Sequence, residues 1–354
     1  MKRLAPALFW LIYIVSLPSH AQASEWERLN AEIQSLYQKG QYDRAIVVAR
    51  RALEYVERTR GPDDPLMATG LNNLAAMHLA QGQYAEAEPL FKRALVVDKK
   101  AHGANHPEVA TDLNNLASLY LQLGKYAQAE PLFKESLAIR EKALGHDHPG
   151  VAQILNNLAS LYETQSKYAQ AEALYKRSLL IKETALGQNH PAVATGLNNL
   201  AGLYLAQRKY REAEPLYKRV LLIDEKSLGP DHPDVATDLN NYALLFRNQE
   251  RFVEAEPLFI RSLSIREKAL GADHPDVANS LNNLGELYRL QGKYGPAEPL
   301  YQRSLTIREK ALGTNHPDVA VTLSNLSLLY RKTGREAEAL AFEKRAALIR
   351  SAKR

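Results

Sequence analysis

Three residue types recur in this sequence where they could do chemistry: histidine before proline, paired asparagine and a late run of arginine. His-Pro stands at His106-Pro107, His148-Pro149, His190-Pro191, His232-Pro233, His274-Pro275 and His316-Pro317. Repeated imidazoles suggest metal binding or acid–base work. Asn73, Asn115, Asn157, Asn199, Asn241, Asn283 and Asn325 form one register, and Asn72, Asn114, Asn156, Asn198, Asn240 and Asn282 the adjacent one. An amide side chain carries one acceptor and two donors, a set able to pair with the N–H and C=O of an extended peptide. Arg247, Arg289 and Arg331 could hold carboxylates in bidentate forks.

All three sets share one spacing. Gly61, Gly103, Gly145, Gly187, Gly229, Gly271 and Gly313 lie 42 residues apart without slippage. A period sustained along the chain describes a solenoid whose units contact mainly their neighbours. Within one unit, Val109, Leu113, Leu116, Ala117 and Tyr120 fall at helical spacing, so an amphipathic helix covers about 109–122. Pro107 suits its first position. After Gly124, a second helix runs from about Tyr126 to Leu144, with Ala129, Leu132, Phe133, Leu137 and Ala143 on its apolar side and Gly145 as its cap. Pro131, past its first turn, is replaced by alanine at 173 and 341 and is not required by the fold.

That geometry weighs against metal chemistry. Packed helices sit roughly 8–10 Å apart, whereas zinc ligands must lie about 2 Å from one ion. The six histidines cannot converge, and each is expected to cap the helix its proline begins. His146 and His148 lack further ligands, and His78 reads as a packing substitution for the repeated tyrosine. Cysteine is absent, which removes thiol chemistry and disulfides. No phosphate-cradling loop, H-E-x-x-H pair or G-x-S-x-G elbow occurs. The residues therefore point to no catalytic site, no metal and no cofactor. The eighteen tyrosines fall mostly on core positions, and Lys134, Lys176 and Lys218 on solvated faces of second helices.

The chain has 354 residues, 24% of them charged, and a formal net charge of +5. So small and dispersed an excess does not suggest nucleic-acid binding. Residues 1–23 read as a secretory signal: Lys2 and Arg3, an apolar run to Leu17, Pro18, then Ala21-Gln22-Ala23. The run is shorter than the about 20 residues that span a bilayer. Cleavage would leave residues 24–354, a periplasmic or secreted bacterial protein with no stable membrane span; an uncleaved anchor is the alternative.

Leu113, Leu116, Ala117, Tyr120, Gly124, Tyr126, Ala129, Phe133 and Ser136 match the tetratricopeptide-repeat signature. The longer period and the segment from Gly271 to Ala278, followed by Leu281-Asn282-Asn283-Leu284, resemble the repeats of kinesin light chain. No heptad coiled coil precedes the array, so no motor association is carried over. The resemblance implies an all-α, right-handed superhelical solenoid of about eight antiparallel helix pairs, near 25–60, 66–102, 108–144, 150–186, 192–228, 234–270, 276–312 and 318–350. It also implies a concave groove lined by the first helices, where an asparagine commonly holds peptide backbone. The first pair lacks Asn-Asn, and the last has Glu336 and Glu343 at aromatic positions, as a terminal cap needs.

Around the asparagines lie Ala76, Ser118, Ser160, Gly202, Leu244, Glu286 and Leu328, then Leu79, Leu121, Glu163 and Leu205 before the three arginines. The expected groove is small and apolar early and basic late. The expected function is a non-enzymatic scaffold or adaptor binding a peptide or extended segment of an exported partner, with acidic groups on the arginines. Two alternatives stay open. The asparagines could only stack repeats in a spacer or self-assembling rod, and the arginines could be a solvated face.

Overall fold

The computed structural model describes residues 24–351, so the signal expected at 1–23 lies outside the described residues. Every described element is a helix. In order they are α1 (Glu25–Gln38), α2 (Tyr42–Arg60), α3 (Pro65–Ala80), α4 (Tyr84–His102), α5 (Pro107–Gln122), α6 (Tyr126–Leu144), α7 (Pro149–Thr164) and α8 (Tyr168–Leu186). There follow α9 (Pro191–Ala206), α10 (Tyr210–Leu228), α11 (Pro233–Asn248), α12 (Phe252–Leu270), α13 (Pro275–Leu290), α14 (Tyr294–Leu312), α15 (Pro317–Lys332) and α16 (Glu336–Ser351). The chain divides between Ala185 and Leu186 into two compact units, each a succession of helix pairs.

The punctuation seen in the sequence sets these boundaries. From α3 onward every first helix begins with proline at its first position. The preceding histidine is its cap: His148 Nδ1 accepts from the Gly150 N–H at 3.0 Å, and His106, His190, His232, His274 and His316 do the same two residues on. Asp64 substitutes in the first copy, its Oδ1 accepting from the Leu66 N–H at 2.9 Å. A side-chain acceptor there satisfies one otherwise orphaned helix donor.

Recurring bonds lock four of the described pairs internally and tie several pairs to the one before. Within a pair, the serine hydroxyl of the second helix donates to a carbonyl of the first, as Ser136 to Ala110 O at 2.6 Å and Ser304 to Ala278 O at 2.8 Å. Between pairs, the tyrosine of a first helix donates back to a glutamate of the preceding second helix: Tyr120 to Glu88 at 3.0 Å, Tyr162 to Glu130 at 3.1 Å, Tyr288 to Glu256 at 3.1 Å. A cation lies over the same ring, with Arg335 only 3.8 Å from the Tyr330 centroid. These junction tyrosines are buried or half-buried, and their hydroxyls are used.

The turn inside each pair needs a left-handed residue. Gly124 supplies it with φ 70°, but Ser166, Arg208 and Glu250 hold φ near 60° at the equivalent place. A side chain there costs about 1–2 kcal/mol, which glycine avoids; glycine's freedom in the unfolded chain returns part of it. Each of Ser166→Gly, Arg208→Gly and Glu250→Gly is thus expected to raise unfolding free energy by roughly 0.5–1 kcal/mol. Urea melts of the single variants measure this, and unchanged or lowered midpoints contradict it.

Candidate functional site

The two asparagine registers come together as an inter-repeat ladder. Within each unit, the second asparagine of several pairs donates to the first asparagine of the preceding pair. In the first unit Asn73 Nδ2 reaches Asn30 Oδ1 at 2.7 Å, and Asn157 reaches Asn114 at 3.0 Å. In the second unit Asn241 reaches Asn198 at 3.2 Å, Asn283 reaches Asn240 at 2.8 Å and Asn325 reaches Asn282 at 2.9 Å. Asn30 is the acceptor that starts the first rung. It was legible as the position 42 residues before Asn72, although its repeat lacks the full pair.

Burial follows from this use. Asn114, Asn115, Asn156, Asn157, Asn240, Asn241 and Asn282 are buried, while Asn72, Asn73, Asn198, Asn199, Asn283 and Asn325 are half-buried. One rung departs: Asn72 Nδ2 turns to Asp112 Oδ1 at 2.5 Å, and Asn72 Oδ1 is left without a partner.

The three arginines are not equivalent. Arg289 grips Glu286 with Nε and Nη2 at 2.8 and 2.7 Å, and the Tyr301 hydroxyl donates to the same carboxylate at 2.8 Å. Burial pushes the Glu286 carboxyl up, but the guanidinium fork and the phenol outweigh it, and the net shift is downward. Arg289 is correspondingly raised, chiefly by its hydrogen bond to Glu286. Arg331 pairs with Glu343 of α16. Glu343 occupies the register of Tyr301, and Tyr175, one of the same series, donates to Glu163 at 3.1 Å. Second-helix side chains in this register thus reach the first-helix face, a contact that sequence spacing alone does not reveal.

Arg247 is different. Its Nη2 donates to Asn248 Oδ1 at 3.1 Å, and it makes no ion pair among the described residues. Burial lowers its pKa, and the nearby Glu286 and Tyr301 work against that. The expected row of three open guanidiniums is therefore one unpaired arginine beside two that are already neutralised. Around them Leu205 and Leu244 are partly exposed and Leu328 is exposed.

Among the described residues no group of three or more His, Asp or Glu side chains is gathered to hold a metal. His78 lies inside the core with Nδ1 2.6 Å from Gln83 Oε1. Lys134 and Lys176 are exposed and pair one turn back with Glu130 and Glu172, both at 2.7 Å.

A family model described as the tetratricopeptide repeat matches residues 30–95, 66–142, 113–184, 192–252, 239–310 and 297–350. None of the curated proteins matches the chain. Among solved structures, BtubC (BKLC) from P. vanneervenii is similar at 25% identity and TM-score 0.52, over 69% of this chain and 92% of its own. A P. anserina chain named for kinesin light chain and built of nearly identical repeats is similar at 24% identity and TM-score 0.51, over 58% and 97%. The quorum sensor NprR from B. thuringiensis shares the fold at 15% identity and TM-score 0.65, over 93% and 89%.

Asn157→Ala removes the donor of a fully buried rung and strands Asn114 Oδ1. The expected cost is about 1–3 kcal/mol, read in urea titration against Asn199→Ala and Asn325→Ala. A cost below a few tenths would show that the rung carries no stacking energy.

Proposed function

Because the chain belongs to the tetratricopeptide-repeat family and its repeats resemble those of kinesin light chain, we propose that it is an adaptor for an extended segment of an exported protein. Repeats of this family are protein–protein interaction scaffolds and generally non-catalytic. The segment would lie along the first helices, against the half-buried asparagine amides and the exposed leucines. The observation that carries this reading is Arg247: a charge brought partly out of water without a carboxylate of its own calls for one from outside. An aspartate or glutamate of the bound segment would supply it.

Export is the second part of the proposal. It rests on Lys2 and Arg3, the apolar run and Ala21-Gln22-Ala23. Ser24 just after the expected cut caps α1, its Oγ accepting from the Glu27 N–H at 3.2 Å while Glu27 Oε2 accepts from the Ser24 N–H at 2.7 Å. A chain cut after Ala23 would keep that cap, in the bacterial periplasm or outside the cell. No described helix is long and apolar enough to cross a membrane.

A spacer or self-assembling rod is the second reading, and the asparagine ladder favours it, because the amides are engaged between repeats. In-cell photocrosslinking separates the two. One probe replaces Leu205, partly exposed on a first helix and outside the ladder; the other replaces exposed Lys218 on a second helix. Trapping of a distinct protein from Leu205 and not from Lys218, weakened at least tenfold by Arg247→Glu, is the expected result. Self-adducts, equal labelling from both probes, or indifference to Arg247→Glu would move the assignment to the rod.

A further inference from the structure

Two of the junctions between consecutive helix pairs contain facing carboxylates. Asp98 near the end of α4 faces Asp112 of α5, and Asp224 of α10 faces Asp238 of α11, the places where Arg266 meets Ser280 and Arg308 meets Thr322 in later repeats. Asp98 and Asp112 are buried, at 5% and 0% exposure, and Asp238 is buried too. Two ionised carboxylates are acceptors only and cannot bond each other. Such a facing pair becomes a hydrogen bond only when one proton is held between the two carboxylates. Asp112 Oδ2, Asp224 Oδ1 and Asp238 Oδ2 are buried and have no hydrogen-bond partner among the described residues.

The equivalent junctions show what normally occupies this place. Arg266 Nη1 donates across to Ser280 Oγ at 2.9 Å and Asp276 O at 3.2 Å. Arg308 Nη1 donates to Thr322 Oγ1 at 2.6 Å and Asp318 O at 2.9 Å. There a permanent donor meets acceptors. At the aspartate junctions both sides are acceptors, and only pH decides whether a donor is present.

The charged groups acting on these pairs are mostly acidic, with one histidine at each junction. At the first junction α3 contributes the neutral Asn72 amide, α5 adds Glu108, and α6 sends Arg140 to Thr111 Oγ1 at 2.6 Å. His102 of α4 is 3.9 Å from Asp98 Oδ1. At the second, Asp234 of α11 adds repulsion, His232 opposes it, and Arg266 of α12 bonds Thr237 Oγ1 at 3.1 Å. The α9 side is neutral, with Asn198 accepting from Asn241.

We infer that the α4–α5 and α10–α11 junctions are proton-locked joints, in which one proton shared by Asp98 and Asp112, and another by Asp224 and Asp238, holds consecutive repeats together. The pH response follows from the sign of the shifts. Burial raises all four carboxyls, and Asp112 and Asp238 are pushed up to about 8. Raised acids favour the protonated folded form. Their stabilisation is complete below the ordinary aspartate range near pH 4 and is lost as pH rises toward about 8. Acidification tightens the two joints and alkali loosens them, while the arginine junctions stay indifferent. Asn72, held by Asp112, ties the first joint to the asparagine register.

Hydrogen exchange with mass spectrometry on the full chain at pH 5.5 and 8.5, corrected for intrinsic exchange, tests this. Peptides across 98–112 and 224–238 are expected to lose about tenfold or more in protection at the higher pH, and peptides across 266–280 are not. Asp112→Asn, an isostere of the protonated acid with a permanent donor, should abolish the loss at the first joint alone, and Asp238→Asn at the second alone. Parallel losses at 266–280, or an unchanged loss in the asparagine variants, would overturn the inference. So would failure of Asp112→Asn to fold, since the joint requires what that side chain provides. Rescue of wild-type protection at pH 8.5 by millimolar calcium or magnesium would replace the proton by a cation and also overturn it.

Discussion

The array depends on how closely two helices can cross. Ala117 of α5 and Ala129 of α6 are fully buried, as are Ala75 with Ala87, Ala159 with Ala171 and Ala243 with Ala255. Methyl-sized contacts let axes approach the lower end of the usual 8–10 Å range. At Gly285 even a methyl would not fit without movement, because an added Cβ would lie 3.1 Å from the Tyr301 ring. Such crossings leave no room for water. Polar groups carried into them must be matched in place or the helices will not close.

That constraint explains why the polar bonds keep the same period as the alanines. Ser136 finds a carbonyl across its pair, Tyr120 a glutamate in the pair before, and Asn157 an amide oxygen in the pair before. Each bond is worth only about 1 kcal/mol net, yet leaving one unmade costs more. In an array whose units touch mainly their neighbours, such costs stay local to a junction. A mismatched junction therefore becomes the place where the array opens first, which is why the paired aspartates matter more than their number suggests.

Much of the fold was legible because its signals are local. Proline at the first position, histidine before it and glycine after the second helix mark the ends of α5 and α6 to within a residue or two of 109–122 and 126–144. The histidine caps could be read for the same reason, the donor being two residues away. What stayed hidden joins residues through space. Asp98 and Asp112 are separated by a helix end and a turn, and nothing in their spacing says that they face each other. Arg289 looked like its neighbours in register, Arg247 and Arg331, until Glu286 one turn back and Tyr301 from the next helix were seen to close around it. The asparagines showed their register, but an amide able to hold a peptide is equally able to hold another amide.

The same logic narrows where a ligand's charge could go. A half-buried pair such as Arg289–Glu286 adds little to stability over an apolar pair, but breaking it leaves a partly desolvated charge without its partner. A ligand carboxylate that took Arg289 would have to leave Glu286 unneutralised beside it. Arg331 is freer, being 46% exposed, but its partner Glu343 belongs to the same chain and competes at no loss of rotational freedom. At Arg247 no pair has to be broken. The Arg289–Glu286 pair beside it is neutral as a unit, so the field there is that of a single guanidinium held by burial. An acid bound at Arg247 would be recognised by one charge and by the leucines around it, a geometry that favours an isolated acidic residue in an apolar segment over a run of acidic ones.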